Sequence, residues 1–202
     1  MLISHKHKFI FIHIQKTAGT SISSALNPFC EESYPSLKHW SAFEIKKKFG
    51  SNIWNEYFKF TFIRNPYERL LSWYNMIDKN RWRPNSNLFQ SHIKKNIHSF
   101  SEFIMDDNYP ININELPPQK ISQFKKISEN KRVIVDFIGR YENLNEDFSY
   151  ICKKLNIPET TILPHINKFD HDHYINYYTK EMISEVNSFA EEDFIYFYKK
   201  MM

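Results

Sequence analysis

Apolar positions along this chain of 202 residues fall into short solid runs, separated by longer stretches where they recur every three or four residues. The runs Lys8–Ile14, Phe58–Ile63 and Val133–Ile138 predict strands, and the first, apolar from Phe9 to Ile14 at every position but His13, reads as buried on both faces. Between them the period changes. Ser21–Leu26 and Ser41–Phe49 read as helices, the second with Ala42, Ile45 and Phe49 on one face. Tyr67–Asp78 aligns Leu70, Leu71, Tyr74 and Ile77, and Asn145–Leu155 is helical as well. A final helix over Thr179–Lys200 would bury Ile183, Val186, Phe189 or Ala190, Phe194 and Phe197. Strands alternating with helices predict an α/β fold: a central parallel sheet flanked by helices, with ligands outside the carboxyl ends of the strands. The pattern loosens from Asn80 to Pro118, where a single short helix over Ser101–Asp106 interrupts irregular sequence. No internal repeat and no Pro/Gly/Ser-rich linker divides the chain, so it reads as one domain.

Two strand ends carry chemistry. After Phe9–Ile14 the sequence turns through Gln15-Lys16-Thr17-Ala18-Gly19-Thr20-Ser21 and enters a helix. Such small side chains let backbone N–H groups approach a ligand, at a helix start whose unsatisfied donors and dipole favour an anion. Lys16 adds a full charge. A Walker A loop would place its lysine after the glycines; here lysine comes first. The second strand, Phe58–Ile63, runs into Arg64-Asn65-Pro66, with Pro66 suited to a first helical position and Ser72 two turns on. An Arg fork and a hydroxyl make a sound phosphate grip. Two strands of one parallel sheet, each ending in a basic anion site, would hold the two ends of one ligand.

In this combination the chain resembles the sulfotransferases that use 3′-phosphoadenosine-5′-phosphosulfate (PAPS), in particular the carbohydrate branch related to the heparan 2-O, chondroitin and HNK-1 enzymes. Lys16–Ser21 looks like their 5′-phosphosulfate loop, and Phe60–Tyr74, with Arg64 and Ser72, like their 3′-phosphate motif. Ile138–Leu144 with Asp147-Phe148, and Leu163–Asn167, match further stretches. Gln15 departs from the family, which usually has proline there. The resemblance implies a P-loop-like three-layer fold and in-line transfer of a sulfuryl group from PAPS to a hydroxyl, most readily on a carbohydrate. It implies that Lys16, Thr17, Ala18, Gly19, Thr20, Ser21, Arg64 and Ser72 bind the nucleotide, with Lys16 also catalytic. His39, between the two motifs and just ahead of a helix, matches a family histidine and is the expected general base; an imidazole near pKa 6.5 suits that task. Glu68, Glu56 and His92 are rivals, since other branches use a carboxylate. No metal is required, and the 80–118 stretch, with Trp82 placed to stack on a sugar, becomes the acceptor-binding insertion. Two other readings stand beside this one: an ATP-using kinase-like P-loop enzyme, which lacks its Gly-Lys-Ser/Thr signature here, and a non-catalytic nucleotide- or glycan-binding module.

Composition adds bounds. Lys and Arg number 27 against 23 Asp and Glu, and a net charge of +4 is too mild to argue for nucleic acid. Two cysteines, Cys30 and Cys152, exclude a disulfide scaffold. No stretch has the length of a signal-peptide core or a membrane span. The related animal enzymes are Golgi-anchored, so the expectation for this chain is a cytoplasmic enzyme, with oligomeric state open. Asp170-His171-Asp172-His173 invites a metal reading, but alternation along a strand would send these side chains to opposite faces, and a solvated loop is the better expectation.

Overall fold

A computed structural model of the chain describes residues 1–78, 92–93, 95–107, 117–158, 160–164 and 172–200. The described residues form two compact units: Met1–Arg64 with Gln123–Lys168, and Asn65–Ser122 with Phe169–Met202.

The first unit is built on a sheet of five strands: β1 (Leu2–Ser4), β2 (Phe9–Ile12), β3 (Glu32–Ser33), β4 (Phe58–Ile63) and β7 (Phe137–Arg140), in the order β3-β1-β2-β4-β7. β2, β4 and β7 are mutually parallel, with Phe11 opposite Phe60 and Phe62 opposite Gly139. The outer pair is antiparallel: β1 folds back on β2 through a turn at His5–Lys8, so Lys8 lies outside the strand it was expected to begin. Alternation along β2 then decides the layers. Phe9 and Phe11 join Phe60 and Phe62 on one face, beneath α1 (Gly19–Leu26) and α6 (Leu144–Lys154), through Ile22, Leu26, Phe148 and Ile151. Ile10 and Ile12 point the other way, onto Ala42, Ile45 and Trp54 of α2 (Ala42–Glu56). Burial of both faces is why the run is solidly apolar. Helices on both sides of a sheet with a parallel centre are the α/β layering that the sequence predicts.

Two boundaries differ from expectation. The third apolar run splits: Arg132–Val133 (β6) pairs with Ser128–Glu129 (β5) in a separate hairpin, and β7 starts only at Phe137. Asn130 and Lys131 both take positive φ, as a two-residue type I′ hairpin turn demands. Asp136 closes the gap, its carboxylate accepting from the Lys59 backbone N–H at 2.8 Å and pairing with the Lys59 ammonium at 2.8 Å. In α2, Gly50 at φ 83° breaks the helical path, beyond the Phe49 limit read from the sequence.

The second unit is helical. Its α3 (Pro66–Asp78) starts with Pro66 in the first turn, and the Asn65 side-chain oxygen accepts from the Tyr67 N–H at 3.0 Å. Tyr67, Leu70 and Trp73 pack with Phe103 and Ile104 of α4 (Phe100–Met105), Met182 and Val186 of α7 (Lys180–Phe189) and Phe194 of α8 (Glu191–Tyr196). The expected single last helix is thus two, divided at Ala190, and Met182 rather than Ile183 is the buried residue.

Candidate functional site

The turn after β2 is the centre of the site. Lys16 and Ala18 both adopt left-handed backbone, at φ 68° and 64°, a conformation that costs non-glycine residues energy. The buried Thr17 between them ties its hydroxyl to the Ile14 carbonyl at 3.0 Å. Gly19 then opens α1, with Thr20 exposed and Ser21 buried. A helix start preceded by two left-handed residues is the kind of turn from which backbone N–H groups build anion sites.

Gly19 is needed here for space. A Cβ at this position would lie 2.1–2.7 Å from ring atoms of His13, which is buried against the first turn. His13 stacks on Phe11 and meets the ring of His39 edge-on, with centroids 5.0 Å apart. Its Nδ1 has no hydrogen-bond partner among the described residues. Burial, reinforced by nearby His39 and Lys38, holds its pKa well below the ordinary histidine value. His13 is therefore a neutral floor beneath the turn. Sequence reading missed it as a site residue, because nothing in a strand-end histidine shows which ring it will touch.

His39 lies against this floor. Its Nδ1 is 3.3 Å from the His13 carbonyl oxygen. A carbonyl only accepts, so the neutral ring carries its proton on Nδ1 and leaves Nε2 with a lone pair. The Lys126 ammonium donates to the His39 carbonyl at 3.1 Å. Burial, with the charges of Lys38, Lys126 and the Met1 amine, outweighs the hydrogen bond and pushes the His39 pKa down to about 4. That is below the ordinary range assumed from sequence, and it keeps the ring unprotonated throughout the neutral range.

Arg64 follows the last residue of β4 and is 7% exposed. Its backbone N–H donates to Oε1 of Gln123 at 2.9 Å, and its carbonyl accepts from Nε2 of the same side chain at 2.8 Å. The guanidinium carbon lies 4.0 Å from the ring centroid of Tyr141. Burial and the charge of Arg64 push the Lys16 ammonium down to about 8, so the two cations stand within electrostatic reach at the ends of adjacent parallel strands. Holding like charges together in a partly desolvated place is costly unless an anion shares them.

The other expected site residues fall elsewhere. Ser72 is buried in α3 of the second unit. Among the rival bases, Glu56 is exposed and pairs with Lys8, while His92 binds the Asp106 carboxylate through Nε2 at 2.8 Å in the second unit. Glu68 is on α3, also in that unit. Trp82, much of 80–118, His165–Asn167 and Asp170-His171 lie outside the described residues. Among the described residues no group of three His, Cys, Asp or Glu is placed to hold a metal ion, and no helix is long and apolar enough to cross a membrane.

Comparison with known proteins gives the family. The family model described as "Sulfotransferase family" matches residues 1–194. The chain belongs to the sulfotransferase family. An uncharacterized protein of Archaeoglobus fulgidus is 33% identical over 119 residues, covering 58% of this chain and 83% of that relative. No solved structure matches. Membership makes this sulfotransferase a transferase whose chemistry is sulfuryl transfer, to a hydroxyl-bearing acceptor in general.

Proposed function

We propose that this sulfotransferase takes its sulfuryl group from PAPS and passes it to a carbohydrate hydroxyl, as one cytoplasmic domain whose acceptor-binding part is the 80–118 segment. The observation that carries the reading is the pair Lys16 and Arg64, two cations that follow adjacent parallel strands, beside a helix start lined by small residues. A nucleotide bearing negative charge at both its 5′ and 3′ positions suits such a pair. Bound PAPS would supply an activated sulfur whose leaving group is a phosphate. In this reading the Thr17–Ser21 turn and its N–H groups hold the 5′-phosphate, and Lys16 neutralises the charge that grows on the bridging oxygen. Arg64, with Ser72 assigned from the sequence motif, holds the 3′-phosphate. His39 takes the acceptor proton on Nε2, its Nδ1–H directed at the His13 carbonyl. None of these roles needs a metal.

Thermal stabilisation distinguishes this reading from an ATP-using one. Adenosine 3′,5′-bisphosphate at a hundred times its Kd should stabilise by about 2.7 kcal/mol, raising Tm several degrees. ATP at equal concentration should do less. Equal or greater stabilisation by ATP would sink the PAPS assignment, and absence of labelled sulfate transfer from PAPS to any of a glycan panel would sink the carbohydrate acceptor.

A further inference from the structure

The α5 helix (Gln123–Ile127) is one and a half turns long and follows the region of weakest pattern, yet its first side chain is fully buried. Gln123 reaches across 59 positions to bond both the N–H and the C=O of a single residue, Arg64. A side-chain amide reproduces here the reciprocal pairing of a strand neighbour, one residue past the end of β4. Its pairing with β7 ends at Ile63 opposite Arg140. One residue further along both strands the register brings Tyr141 to Arg64, and its ring lies under the guanidinium at 4.0 Å. Backbone and side chain of Arg64 are thus fixed by different residues. We infer that Gln123 and Tyr141 are positioning residues that pre-set the Arg64 guanidinium for a phosphate, and so set the preference for a nucleotide carrying a 3′-phosphate.

The inference rests on the PAPS reading and adds to it. A side chain ordered before the ligand arrives loses less freedom on binding, and a planar fork held in plane by an aromatic face keeps its two donors aimed. Truncating the clamp should then leave charge and fold in place and loosen only the aim. The consequence falls on one phosphate, which separates positioning from general structural support.

The test compares adenosine 3′,5′-bisphosphate with adenosine 5′-monophosphate by calorimetry on the full chain, with Tm recorded for every variant. The wild type should bind the bisphosphate tighter, and Arg64→Ala should remove most of that preference, on the order of 10- to 100-fold, the worth of hydrogen bonds to a charged group. Gln123→Met and Tyr141→Leu should each reduce the preference by roughly five- to tenfold, part of the Arg64 effect, while monophosphate affinity holds. Neither should reduce it further in an Arg64→Ala background. A preference unchanged in either folded variant overturns the role of that residue. Should Gln123→Met fail to fold, Tyr141→Leu alone decides. A wild type with no 3′-phosphate preference overturns the PAPS reading itself and the inference with it.

Discussion

Burial sets the ionisation of Lys16 and His39, and the consequences are measurable. Lys16 sits near pKa 8 in the free protein because burial and Arg64 both disfavour its charge. A bound anion favours the charged form and must raise that value. Binding adenosine 3′,5′-bisphosphate at pH 8 should therefore take up a fraction of a proton, seen as buffer-dependent heat in calorimetry, and affinity should fall as pH rises above 8. Lys16→Met should abolish the uptake; uptake that persists would assign it to another group. For His39 the sign is opposite in consequence: with its pKa at about 4, the acid limb of kcat/KM should lie near 4 rather than 6.5, since the base works only when neutral. His39→Ala should lower kcat by roughly 10²–10⁴ and erase that limb. If a limb near 6.5 is found and survives the substitution, the base is another residue. Lys16 and Arg64 were legible because a cation at the end of an apolar run is a local signal. Gln123, Tyr141 and His13 were not, because their roles exist only through partners distant in sequence or through a void left by glycine.

Among the elements, the strands that carry the site were read nearly to the residue, while their flanks were not. β2 and β4 are buried on both faces, so composition alone marks them. β1 is three residues long and the third apolar run serves two elements, and neither fact leaves a periodic trace. The helix α1 is tied to β2 through Gly19 and His13, and this contact can be probed. Gly19→Ala puts a methyl group within 2.1–2.7 Å of a buried ring. Overpacking of this kind should cost about 1–3 kcal/mol. At roughly 2–4 °C per kcal/mol for a chain of this size, thermal denaturation should show the loss clearly. A Tm within a degree of wild type would mean that the ring moves aside freely and does not form a rigid floor.

At the scale of the whole molecule, the resemblance implies a single family domain, and family membership covers nearly the full length, yet the described residues pack as two units. Sequence patterns do not show such a division, because the chain crosses it between Arg64 and Asn65, inside one continuous motif. Hydrogen exchange gives a direct prediction. If Lys16, Arg64 and the turn between β2 and α1 carry the nucleotide, the bisphosphate should slow exchange in α1 and around Arg64. Slowing that extends into α3 would support the assignment of Ser72; α3 amides indifferent to ligand would count against it. The void at Gly19 also bears on descent. The His13 ring occupies the space in which a side chain at position 19 would begin, so the two positions can change size only against each other. Relatives with a side chain at the equivalent of Gly19 should therefore lack an aromatic or imidazole ring at the equivalent of His13.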